Sequence, residues 1–132
     1  MVYEKINIKK CSPHIGAEIG GVDLTSPLTN SETEEILFAV NEFGVVFFRE
    51  QKMDPESQDR FVRYFGEPHV HVGGKSTASK PVAGYPALRK QHFNQKSPRI
   101  SGEAWHSDQS CTDIPPKFSV LYQEIIPPEG IT

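Results

Sequence analysis

A chain of 132 residues, 36% of them hydrophobic, has the size and apolar content of one domain with a modest core. A net charge of -3, a pI near 5.9 and a mean hydropathy of -0.46 argue against a generally basic surface for nucleic acid or anionic lipid. The longest strongly apolar run, Val45-Val46-Phe47-Phe48, is far short of a membrane span, and the first ten residues hold no apolar signal core. The expected partners therefore include neither nucleic acid nor membrane. Cys11 and Cys111 form no CxxC pair, which predicts free, reduced thiols and a cytoplasmic location.

Taken in order, residues 3–8 set Tyr3, Ile6 and Ile8 against Glu4, Lys5 and Asn7 and predict a short strand. Residues 13–27 are rich in Gly and Pro. Gly16, Gly20 and Gly21 predict tight backbone passages, and no Lys-Ser/Thr follows Gly20-Gly21 to make a phosphate loop. Ser31-Glu32-Thr33-Glu34 has the spacing of a capping box. Behind it Ile36, Leu37, Val40 and Phe43 form an apolar helical stripe, and Gly44 ends the helix. Residues 45–48 predict a buried strand. Asp54-Pro55 starts a second helix, with Asp as N-cap and Pro at the first helical position. Phe61, Val62 and Phe65 supply its buried face, and Gly66 ends it.

Residues 73–104 are polar, irregular and lopsided in charge. Lys75, Lys80, Arg89, Lys90, Lys96 and Arg99 against Glu103 leave the segment at +5. Such a segment is a solvated loop, or a lid whose charge attracts an anion. From Trp105 the chain predicts strand, turn, strand: Ile114-Pro115-Pro116 forces an extended turn, residues 118–126 are β-rich, and Pro127-Pro128-Glu129-Gly130 is a second turn.

His106 and Asp108 lie two apart in Trp105-His106-Ser107-Asp108. On a strand both point to one face, so an imidazole nitrogen and a carboxylate oxygen converge. That is two of the three ligands of a 2-His-1-carboxylate site for non-haem Fe(II). A bare His-x-Asp also recurs in solvated loops and ordinary strands, so the setting must decide.

Four segments, in order, supply that setting. They are Ile15-Gly16-Ala17-Glu18-Ile19-Gly20-Gly21-Val22-Asp23-Leu24 with Pro27-Leu28; Val45-Val46-Phe47-Phe48-Arg49; Phe65-Gly66-Glu67-Pro68-His69-Val70-His71; and Trp105-His106-Ser107-Asp108 through Pro115-Pro116 to Pro127-Pro128-Glu129-Gly130. Together they resemble the taurine dioxygenase/TfdA-like family of Fe(II)- and 2-oxoglutarate-dependent dioxygenases. The resemblance covers the N-terminal half of that family. It implies an α+β, mainly β fold: the front portion of a double-stranded β-helix, or jelly roll, with two flanking helices, in one partial domain over residues 1–132. The remaining half of the family pattern would hold the third metal ligand, a His, and the Arg that pairs with 2-oxoglutarate.

By the same resemblance, His106 and Asp108 bind Fe(II), His71 reaches the anionic head of the primary substrate, and Gln109 adds a backbone contact there. The family turn continues Gly-Gly-Asp-Thr, whose Thr contacts 2-oxoglutarate; here Gly130-Ile131-Thr132 departs from it, so either Thr132 is that Thr after a deletion or that Thr falls just beyond residue 132. His14 and His92 are not convincing as a third ligand. Gly102, Gly74 and Cys111 replace an Asn, a Tyr and an aromatic of the taurine-acting pattern, which argues against taurine itself.

The implied activity uses O2 and 2-oxoglutarate to hydroxylate a small anionic substrate: a sulfonate, carboxylate, sulfate ester or phosphonate. Succinate and CO2 are released. Two other readings stand beside it. One is a non-catalytic fragment or binding module of the same fold. The other is a structural zinc site on His69, His71 and His106, although structural zinc normally takes four protein ligands. A chain with open strand edges after residue 126 is expected to be inactive alone and to form oligomers or aggregates.

Overall fold

The structure is a computed structural model that describes residues 3–71, 79–94, 97 and 104–126. The chain divides into two compact units, Met1–Glu67 and Pro68–Thr132.

In the first unit, β1 (Asn7–Lys10) pairs antiparallel with β2 (Ala17–Gly20), which pairs in parallel with β3 (Val46–Phe48). Parallel neighbours need a crossover, and α1 (Asn30–Phe43) lies between β2 and β3 in the chain. Two backbone bonds join the end of this crossover to the start of β2: Gly16 N–H donates to the Phe43 carbonyl at 2.9 Å, and Ala17 N–H to that of Val45 at 3.1 Å. Gly44 closes α1 with φ at 72°, a positive value that glycine adopts far more readily than other residues, and its N–H returns to the Val40 carbonyl.

Ile36, Ala39 and Phe43 are buried on one face of α1 at helical spacing, and Ile6, Ala17, Ile19, Leu24 and Phe61 complete the core of this unit. Glu35 is buried beside them. Its carboxylate accepts the backbone N–H groups of Glu4, Lys5 and Ile6 at 3.0–3.2 Å, which holds the segment before β1 on the helix. Burial alone would raise its pKa; the three N–H donors and the Lys5 charge outweigh that and hold it below the usual carboxylate range. The second helix, α2 (Pro55–Arg63), starts as expected: Asp54 Oδ1 accepts from Ser57 N–H at 2.8 Å, and Ser57 Oγ accepts from Asp54 N–H. Phe61 packs edge-to-face on Phe48 and Phe65.

Several expectations shift. The first strand begins at Asn7, because the N–H groups of residues 4–6 are taken by Glu35. Gly/Pro-rich residues 13–27 contain β2, whose ladder comes from distant partners. The N-cap of α1 is Thr29: its box closes on Glu32, not on the Ser31–Glu34 pair. Residues 45–48 do supply a strand, but Val45 and Phe47 are exposed at 41% and 40%, so it is not buried. The second helix stops at Arg63, before Gly66.

The second unit carries a hairpin, β4 (Ser79–Val82) and β5 (Tyr85–Gln91), inside the segment expected to be irregular. Gly84 supplies a positive φ at its turn, and Pro81 is tolerated because a two-stranded ribbon has only edges. Arg89 donates to the Ser79 hydroxyl and carbonyl at 2.8 and 2.7 Å, and Lys90 pairs with Glu124 at 2.7 Å. Two of the basic side chains expected to attract an anion are thus engaged within the protein. Lys75, Lys96, Arg99, Gly74 and Gly102 lie outside the described residues.

Residues 104–126 form turns, bends and irregular chain, with no strand. Both strands expected there, including 118–126, are therefore absent among the described residues: no second chain segment pairs with them. The two helices hold about as many described residues as the five strands, so the described fold is α+β without being mainly β, and no jelly-roll layer is present in it. No helix of the described residues is long and apolar enough to cross a membrane.

Candidate metal centre

His106 and Asp108 meet, but by a different route from the one expected. Residues 105–107 form no strand, and the chain turns at Asp108. Gln109 takes a positive φ of 50°, and its carbonyl accepts from Thr112 N–H and Oγ at 3.1 and 2.9 Å. The turn brings Asp108 Oδ1 to 3.1 Å from His106 Nε2. Both side chains are about half exposed, at 52% and 51%, so a ligand from solvent can reach them.

Each of the two is anchored by its other polar atom. His106 Nδ1–H donates to the Ala104 carbonyl at 2.8 Å. Ser119 Oγ donates to Asp108 Oδ2. With Nδ1 carrying its hydrogen, a neutral His106 presents a lone pair on Nε2, facing a carboxylate oxygen. Two acceptors at 3.1 Å require a cation between them. A proton can serve: the Ala104 hydrogen bond, together with Asp108, raises the His106 pKa above its ordinary value against the effect of desolvation.

A metal ion fits the same place. Donor atoms about 2.1 Å from one ion and at right angles to each other would lie about 3 Å apart. A metal-bound His also usually donates its other ring N–H to a carbonyl or carboxylate, as His106 does. The pair opens on a concavity of about 270 Å³, whose other wall is Pro116, Lys117, Phe118 and Ser119. Ser119 and Lys117 were not singled out from the sequence. Each stands about ten residues from the His-x-Asp pair, and no local spacing rule links them to it.

Of the other candidate residues, His71 is exposed, and among the described residues no hydrogen bond or ion pair joins it to His106 or Asp108. His69 Nε2 lies 3.4 Å from Gln109 Oε1, which brings the segment around His69 to the turn after the His106–Asp108 pair. Gln109 thus meets His69 through its side chain, while its carbonyl, the backbone group expected to make a contact, is engaged in the turn. Thr132 lies outside the described residues. No three His, Cys, Asp or Glu side chains gather among the described residues. The structural zinc reading, which needs His69, His71 and His106 together, is overturned on that ground. Cys11 and Cys111 are free and exposed.

A model of the taurine catabolism dioxygenase TauD, TfdA family matches residues 7–130. The chain belongs to that family.

Among its relatives in the TauD, TfdA family, an alkylsulfatase of Acinetobacter baylyi is 33% identical over 128 residues, covering 96% of this chain and 38% of the relative. An alpha-ketoglutarate-dependent sulfate ester dioxygenase of Pseudomonas putida is 30% identical over 127 residues, covering 96% and 40%. A crystal structure of a taurine dioxygenase from Burkholderia xenovorans superposes with a TM-score of 0.56 at 42% identity, over 63% of this chain and 28% of that one. The chain spans well under half the length of these relatives, a smaller share than the N-terminal half inferred from the motifs.

Proposed function

We propose that this chain is the N-terminal part of an Fe(II)- and 2-oxoglutarate-dependent dioxygenase that hydroxylates a small anionic substrate in the cytoplasm. The observation that carries the reading is the paired presentation of His106 Nε2 and Asp108 Oδ1, 3.1 Å apart, each anchored behind. These two would hold Fe(II) as two ligands of a 2-His-1-carboxylate set, the third being supplied by residues beyond those described. A jelly roll around this centre belongs to the same proposal.

Bound there, the metal would supply the oxidising chemistry, with 2-oxoglutarate and O2 as co-substrates. The balance is one oxygen atom to the substrate C–H, giving an alcohol, and one to 2-oxoglutarate, giving succinate and CO2. The chain's own residues hold and orient. Ala104 fixes the imidazole so that Nε2 faces the cavity. His71 donates to the anionic head of the substrate, with Gln109 near the same pocket, and Lys117 adds positive charge to the cavity wall. Thr132 contacts 2-oxoglutarate. The relatives named as an alkylsulfatase and a sulfate ester dioxygenase favour a sulfate ester among these anions.

The test is succinate release from 2-oxoglutarate by the intact protein with Fe(II) and O2, across a panel of alkyl sulfates, sulfonates, carboxylates and phosphonates. Stimulation by at least one anionic member is expected. Metal binding with no succinate from any member would favour the non-catalytic binding module instead.

A further inference from the structure

We propose that Ser119 is a positioning residue for the metal-binding carboxylate; this rests on reading His106 and Asp108 as ligands. A carboxylate that rotates about its last side-chain bond can offer either oxygen. In Asp108, Oδ2 accepts the hydrogen bond of Ser119 Oγ, and Oδ1 is left facing His106 Nε2 at 3.1 Å. The imidazole is treated in the same way, with Nδ1 committed to the Ala104 carbonyl and Nε2 presented. Each ligand thus has one atom tied and one offered, which fixes the direction of both donors before any ion arrives.

The two anchors differ in origin. Ala104 is two residues from His106, so its contact is local. Ser119 lies beyond Pro115-Pro116, in the segment that lines the wall of the cavity with Lys117 and Phe118. The Ser119 contact therefore ties the ligand turn to that wall. A hydroxyl suits this task. It donates one hydrogen and carries no charge, so the carboxylate keeps its full negative charge for a cation. With a half-exposed Asp108, loss of the hydroxyl frees the carboxylate to turn toward water, and metal binding must then pay the entropy of ordering it.

The experiment uses the intact protein stripped of metal and titrated with Mn(II), with the free ion followed by its electron paramagnetic resonance signal. Ser119→Thr keeps the hydroxyl; Ser119→Val has the same shape without it. Ser119→Val and Ser119→Ala are expected to weaken Mn(II) binding about 10-fold or more, within the range of about 10–100-fold typical of residues behind a ligand. Ser119→Thr is expected to stay near wild type. Val matching Thr, while His106→Ala still abolishes binding, would overturn the role of Ser119 and leave the metal centre standing. Equal Mn(II) binding by wild type and His106→Ala would overturn the metal centre, and this proposal with it.

Discussion

His106 Nε2 and Asp108 Oδ1 lie 3.1 Å apart across a turn, each with its remaining polar atom held by the protein. The convergence survives without a strand because the chain bends at Asp108, and Gln109, at positive φ, carries the turn on. Replacing either residue by Ala is expected to abolish Fe(II)-dependent succinate formation in the intact protein. Retained 2-oxoglutarate decarboxylation in both variants would remove them as ligands.

His71 is exposed and stands two residues after His69, which lies beside Gln109. If His71 meets the substrate anion, His71→Ala should raise the apparent KM for that substrate about 10-fold or more, the loss of one charge-assisted hydrogen bond, and leave the KM for 2-oxoglutarate nearly unchanged. Steady-state kinetics in both substrates decide it; equal effects on the two would make His71 structural.

The N-cap of α1 separates two local patterns. Thr29 Oγ accepts from Glu32 N–H, and Glu32 returns to Thr29 N–H at 2.7 Å, whereas Ser31 lies inside the helix. Thr29→Ala should cost about 1 kcal/mol in urea unfolding, and Ser31→Ala a few tenths at most. The reverse order would move the cap.

Phe61 is 5% exposed and packs edge-to-face on two rings, Phe48 at 5.7 Å and Phe65 at 5.2 Å between centroids. Phe61→Ala should destabilise by about 3–5 kcal/mol, which is most of the stability of a small unit. Thermal unfolding with little change in midpoint would show that these rings are not packed as described.

Glu35 has its pKa held below that of the unfolded chain, so its contribution to stability is fully present above the ordinary carboxylate pKa and is lost as pH falls through the folded value. Glu35→Gln should melt several degrees below wild type at pH 7. The gap should narrow as pH drops below about 4.3, where the unfolded carboxylate takes its proton. A gap that stays constant from pH 7 to pH 3 would mean the carboxylate charge contributes nothing.

The sequence by itself determined what local chemistry can decide. Asp54-Pro55 with Ser57 marks the start of α2 because cap, first-turn Pro and box all lie within four residues. Gly44 ends α1 because only the helix's own last turn is involved. The residue types His106 and Asp108, two apart, mark the pair as a candidate, but the strand expected to align them is absent and the turn at Asp108 brings them together instead. The tertiary structure decided everything that depends on a distant partner. Thr29–Glu32 and Ser31–Glu34 satisfy the same spacing rule, and the fold chose between them. β2 is hidden in a Gly-rich stretch because its ladder comes from β1 and β3, and β1 starts late because Glu35 on α1 claims the N–H groups ahead of it. The Ser119 hydroxyl reaches Asp108 only after the chain has turned and bent over residues 108–114 and come back. Periodicity and capping act over one or two turns of chain, whereas a hydrogen bond across the fold costs chain entropy that only the rest of the packing can offset.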